Sequence, residues 1–214
     1  PRSTLFPYTT LFRSKDSYQE GITRRTVVNV PEGSTIKLNN IFGGAYGVQN
    51  DVACDVYESN VNYNSANALV GGYQSGIYGG NNNYRRTLYS KVNINAPVWY
   101  DKENDYYATV YGAGYGKDTW AQYTEVNLNN TAKVFEVYGG GQLGRVMNKK
   151  SVDAWKAQED AQSQQDNPDA PVIINIALEG GYTDQGLASN LATYKYNTNV
   201  RINQGATVSG YIYL

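Results

Sequence analysis

One block recurs along the chain: a β-branched residue, an aromatic residue, then two or three small residues. It reads Ile41-Phe42-Gly43-Gly44-Ala45, Ile77-Tyr78-Gly79-Gly80, Val110-Tyr111-Gly112-Ala113-Gly114 and Val137-Tyr138-Gly139-Gly140-Gly141. The first glycine falls at 43, 79, 112 and 139, so the intervals are 36, 33 and 27 residues. A second motif alternates apolar residues with asparagine. It reads Val61-Asn62-Tyr63-Asn64, Val92-Asn93-Ile94-Asn95 and Val126-Asn127-Leu128-Asn129, each 18, 13 or 14 residues after the preceding first glycine. Val28-Asn29-Val30 precedes the first block, and Val200-Arg201-Ile202-Asn203 follows the fourth. Alternation with period two is that of a strand with one face buried. Like units that cannot bury their apolar face alone do so by stacking on one another.

The interval narrows the choice of stack. Helical repeats are excluded because 21 tyrosines and a charged fraction of 17%, against about 25% in an average domain, leave little material for surface helices. A Leu ladder is missing, and a propeller blade needs about 40–45 residues, more than the shortest interval here. The expectation is an all-β, right-handed parallel β-helix (β-solenoid) of about four to six coils. Phe42, Tyr78, Tyr111 and Tyr138 then form an aromatic column at the interstrand spacing of about 4.8 Å. The asparagines form amide ladders. Gly43, Gly44, Gly79, Gly80, Gly112, Gly139 and Gly140 are read as coil corners that exploit glycine's access to positive φ.

The solenoid is assigned to residues 26–214, after an irregular lead-in over 15–25. One helical insertion interrupts it over 151–167, with Ser151 as N-cap, Asp153 in the first turn, and Pro168 and Pro171 beyond its end. Residues 172–178 then read as a buried strand. Residues 1–14 resemble the read-through translation of a short-read sequencing adapter, which implies an assembled metagenomic fragment, and they are left out of the fold. Val200 to Tyr213 parallels Val126 to Tyr138 and ends where glycines would follow, so the fragment is expected to be truncated inside its array.

The Val-Tyr-Gly-Gly-Gly and Val-Asn-Ile-Asn motifs resemble the Gly-rich parallel β-helix repeats of large secreted surface proteins of Gram-negative gut bacteria. That resemblance covers roughly residues 26–214. It extends to autotransporter-adhesin passenger domains and to pectate-lyase-like β-helices. It implies an extracellular or cell-surface module, structural or adhesive, within a larger repeat protein. The alternative it implies is a fragment of a polysaccharide-degrading lyase or hydrolase.

Several functions lack their chemistry. A net charge of −1 gives nothing to neutralise phosphates, so nucleic acid is not an expected partner. No apolar run approaches the roughly 20 residues of a membrane-spanning helix. The absence of histidine removes imidazole catalysis, and the single Cys54 removes disulfides and Cys-based zinc sites. Asp101, Glu103 and Asp105 start like an EF-hand, but Tyr106 and Gly112 stand where Gly and Glu are required. An irregular Ca²⁺ site stays open there, and no cofactor is expected. The glycine blocks complete neither G-x-G-x-x-G nor a Walker motif. Arg85, Arg86, Lys91, Lys117 and Arg145 are possible lyase bases by residue type alone, and the sequence groups them with no acids. The aromatic residues exceed what a core needs. Tyr46, Tyr84, Trp99, Tyr115 and Trp120 are the candidate ligand-binding residues, for glycans or for host or bacterial surface proteins. Exposed coil ends are a further route to self-association.

Overall fold

A computed structural model describes residues 22–47, 54–72, 75–146 and 198–214. In chain order the strands are β1 (Ile22–Val30), β2 (Lys37–Leu38), β3 (Asn40–Phe42), β4 (Asp55–Tyr63), β5 (Leu69–Val70), β6 (Gly76–Tyr78) and β7 (Asn82–Ile94). There follow β8 (Trp99–Asp101), β9 (Tyr106–Tyr107), β10 (Thr109–Tyr111), β11 (Tyr115–Leu128), β12 (Lys133–Val134) and β13 (Val137–Tyr138). The last are β14 (Arg145–Val146), β15 (Thr198–Ile202), β16 (Thr207–Val208) and β17 (Ile212–Tyr213). The protein is all-β, and no α-helix lies among the described residues. The expected helix over 151–167 and the strand over 172–178 fall outside them, as do residues 1–14. The first strand begins at Ile22, inside the expected lead-in, because Thr23 and Arg25 continue the pairing of β1 with β4.

The long strands share one sheet in the order β1-β4-β7-β11, and β11 then pairs with both β14 and β15. Short strands make a second sheet, β3-β6-β10-β13-β17, and a third, β2-β5-β8-β9. A two-stranded sheet joins β12 to β16. Every pairing is parallel except that of β8 with β9. The chain therefore visits the long sheet, a short sheet and the second sheet in turn, and returns beside the strand it left.

Like residues meet across these pairings. Val28, Val61, Val92, Val126 and Val200 are in register, as are Ile41, Ile77, Val110, Val137 and Ile212. These two columns, with Val70, Val98 and Val134, lie in one hydrophobic cluster, except for Ile212 at the end of its column, which is half exposed. Each fully buried side chain of this size contributes about 1.5–3 kcal/mol relative to exposure. Beside them Phe42, Tyr78, Tyr111, Tyr138 and Tyr213 stack ring on ring, with centroids 4.8, 4.7, 4.8 and 4.4 Å apart. The asparagines form two ladders. Asn62 donates to Asn29 (2.8 Å), Asn93 to Asn62 (2.9 Å) and Asn127 to Asn93 (2.9 Å). Asn95 donates to Asn64 (2.7 Å), Asn129 to Asn95 (2.9 Å) and Asn203 to Asn129 (2.5 Å). In both ladders every later amide donates to the earlier one.

A third column escapes the sequence reading. Thr26, Ser59, Ser90, Thr124 and Thr198 are in register. The hydroxyls of Thr26 and Ser59 donate to the carbonyls of Gly43 and Gly79. Those of Ser90 and Thr124 donate to Gly112 (2.6 Å) and Gly139 (2.5 Å). The long sheet is thereby tied to the glycine block of the same circuit.

That tie corrects the reason given for the glycines. Positive φ does not fall at Gly43, Gly79, Gly112 or Gly139. It falls at Gly33, Asn130 and Gly205, in the turns that leave the long sheet after the Val-Asn motif, and at other positions that include Gly116, just past the third block. Gly43, Gly79 and Gly112 are needed for close approach: a Cβ on Gly112 would stand 2.2 Å from the carbonyl oxygen of Gly139. Backbone packs directly on backbone there, and no side chain fits between.

Candidate ligand-binding groove

Among the described residues one pairing is antiparallel, and it builds an exposed hairpin at the edge of the third sheet. Trp99, Tyr100 and Asp101 run out along β8, residues 102–105 turn, and Tyr106 and Tyr107 return along β9. Asp101 forms the turn. Its Oδ1 accepts the backbone N–H groups of Glu103 (3.1 Å) and Asn104 (3.3 Å), and its Oδ2 accepts the Asn104 side-chain amide (2.7 Å). An Asp at the first position of a turn commonly caps it in this way. The Asn104 amide holds the Asp101 carboxyl below the usual carboxylate range, so it stays ionised. Asp105 sits at φ 59°, which Asp tolerates, and accepts the Tyr107 hydroxyl at 2.6 Å.

The hairpin is fastened to the frame. Trp99 stacks on Tyr107 with centroids 4.7 Å apart, and its indole N–H donates to the Ala66 carbonyl (3.0 Å). Lys102 donates to Ala66 (3.2 Å) and Asn67 (3.2 Å) and lies 5.8 Å from the Trp99 ring centre. Lys133 lies at 5.8 Å from the Tyr107 ring centre. Beside the hairpin opens a groove of about 600 Å³. Lys37, Leu38, Leu69, Tyr100 and Glu103 line it, together with Asp101 and Lys102. Tyr100 is 45% exposed. Small-ligand clefts fall in the range of about 300–1,000 Å³.

The five candidate aromatics do not share one surface. Trp99 belongs to the hairpin. Tyr46, 69% exposed, bridges to Asn82, which pairs on its other side with Tyr115. The Tyr115 ring meets Tyr78 edge-on at 5.7 Å. Tyr84 is half-buried and in register with Asp118. Trp120 is a correction. It is 3% exposed, with the Arg86 guanidinium 5.6 Å from its ring centre, and offers no free face to a ligand. Its neighbours explain this, because Trp120 is in register with Arg86, whose side chain is itself held by buried Asp55. The groove residues missed from sequence are Lys37, Leu38, Leu69 and Lys102, whereas Asp101 and Glu103 were singled out only as a start of an EF-hand-like loop. The available signal was register: Lys37 pairs with Leu69, and Leu69 with Trp99.

The basic residues are largely engaged by acids. Asp55, 2% exposed, accepts Arg85 Nε (3.0 Å) and Nη2 (3.1 Å) and also Arg86 Nε. Glu58 accepts Arg25 (2.5 Å), and Glu125 accepts Lys91 (3.2 Å) and Arg201 (3.4 Å). Among the described residues no group of three or more His, Cys, Asp or Glu could hold a metal ion. No protein-family model, curated protein or solved structure matches the chain.

Proposed function

We propose that the chain is a right-handed β-solenoid that serves as a structural and adhesive module of a larger secreted or cell-surface repeat protein, holding a glycan or a protein against its flank. The parallel return of each long strand beside its predecessor supports the solenoid, and parallel crossovers within a sheet are right-handed in about 98% of cases. Function follows from the contrast between a frame knit by columns of like residues and one exposed hairpin at a sheet edge. The observation that carries the reading is the groove beside that hairpin, where exposed Tyr100 adjoins side chains with polar ends. Rigid frames commonly carry their binding residues on such exposed loops.

The experiment is binding of the whole chain to immobilised glycans and surface proteins, paired with a cleavage assay on uronate polymers with and without Ca²⁺. Saturable binding without turnover is the expected result. Ca²⁺-dependent cleavage would overturn the adhesive reading in favour of the degradative one.

A further inference from the structure

We propose that the groove beside β8 takes a short neutral oligosaccharide, with the Tyr100 ring under a sugar face and Lys37 and Glu103 bonded to its hydroxyls. The proposal rests on the reading of the chain as a ligand-holding module and names the ligand class for that site.

The assignment follows from which polar groups are already used. Lys102 is engaged by Ala66 and Asn67, and Asp101 by the turn it caps. Lys37 and Glu103 line the same groove and have no ion-pair partner among the described residues. A lysine ammonium only donates hydrogen bonds and a carboxylate only accepts them, whereas a sugar hydroxyl does both. Sugar hydroxyls can therefore serve both side chains. The exposed Tyr100 ring supplies a flat apolar face with a polar edge, which suits the C–H face of a pyranose.

Charge selects among saccharides. Lys37 and Lys102 balance Asp101 and Glu103, so a uronate meets repulsion from the carboxylates and a basic peptide from the lysines, with no net charge in the lining to favour either. A neutral chain meets neither repulsion. The walls are also set in advance. Leu69 N–H donates to Ile36 (2.9 Å), Gly71 N–H donates to Leu38 (2.8 Å), and the hairpin is pinned through Trp99. Little ordering remains to oppose binding.

The test uses the whole chain against neutral hexose and N-acetylhexosamine oligosaccharides, with uronate oligosaccharides and basic peptides as the other arms. Circular dichroism of each variant confirms folding. Neutral oligosaccharides should bind, and Tyr100→Ala and Glu103→Ala should each weaken binding about tenfold or more. Tyr100→Phe should keep most of it, and Tyr46→Ala should change nothing. Binding confined to uronates or to peptides overturns the ligand class while leaving a ligand-holding module. Sugar binding that survives Tyr100→Ala but is lost in Tyr46→Ala overturns the groove alone. No binding in any arm overturns both.

Discussion

Replacing Gly112 with alanine tests the close approach of backbone to backbone most directly. The new Cβ would stand 2.2 Å from the Gly139 carbonyl oxygen and 3.0 Å from Thr124 Cβ. Ordinary contact begins near 3.4 Å, so the carbonyl must retreat by more than an ångström. It cannot do so alone. The same oxygen accepts the Thr124 hydroxyl at 2.5 Å, and the adjoining Tyr138 carbonyl accepts Gly112 N–H at 2.8 Å. Overpacking of this kind costs about 1–3 kcal/mol, and one weakened hydrogen bond adds about 1 kcal/mol, for about 2–4 kcal/mol in all. A chain of this size loses about 2–4 °C in Tm per kcal/mol, so thermal unfolding followed by circular dichroism should fall by about 5–15 °C. Gly140 is the control. A Cβ there meets nothing nearer than Val146 Cγ2 at 3.8 Å, and its φ is not positive. Gly140→Ala should be neutral or stabilise by about 0.4–1 kcal/mol, because alanine has fewer unfolded states to lose. Equal effects at the two positions would refute the reasoning, since the same residue type in the same block would then matter without regard to what its Cβ touches.

Three further outcomes are expected. Asp55→Ala leaves the buried Arg85 and Arg86 without their carboxylate and should cost about 3–5 kcal/mol in a denaturant titration; a loss under about 1 kcal/mol would mean that water already compensates them. Asn93→Ala removes one donated and one accepted ladder bond, for about 1–3 kcal/mol, whereas Asn29→Ala, at the ladder's first position, should cost roughly half as much; equal losses would deny the ladder its role. Burial raises the phenols of Tyr63, Tyr78 and Tyr111, and Tyr107 is pushed up to about 12 by desolvation and by its bond to Asp105. A raised folded pKa favours the protonated fold, so these groups stabilise fully below about pH 10 and progressively less as the pH rises above it, Tyr107 until about pH 12. Phenolate absorbance should lag behind that of free tyrosine until the chain unfolds, and full ionisation at pH 10 with the fold intact would contradict this.

The columns were legible because each carries a residue type that recurs at a fixed place in the motif. Phe42 to Tyr213 and Asn29 to Asn127 are stacked neighbours written out in the sequence. The hydroxyl column was legible too and was passed over: Thr26, Ser59, Ser90, Thr124 and Thr198 each stand two residues before the motif valine. Alternating Ser with Thr hid it, since the shared property is one O–H and not one residue name. The block glycines were recognised, but positive φ and close approach leave the same mark on a sequence. Only the position of the facing carbonyl separates them. Burial of Trp120 was beyond reach, because it depends on Arg86 arriving from the preceding long strand. The groove was equally hidden. Lys37, Leu69 and Glu103 come from three different circuits, and no spacing within one circuit brings them together.

The register of the long sheet bears on how such a chain changes its length. Each strand there takes its partners from the strand before and the strand after, and the asparagine columns advance by one step per circuit. Nothing in those contacts counts strands, in contrast to a barrel, whose closure fixes their number. Excising residues 62–92 would join Val61 to Asn93 and set Asn93 directly upon Asn29, keeping the valine and asparagine columns while removing Arg85 and Arg86, the partners of buried Asp55. Gain or loss of a whole circuit is thus nearly invisible to the columns, and its cost falls on contacts that do not repeat. The dimension left free to vary is the number of strands in the long sheet, and with it the distance between the hairpin and the far end of that sheet.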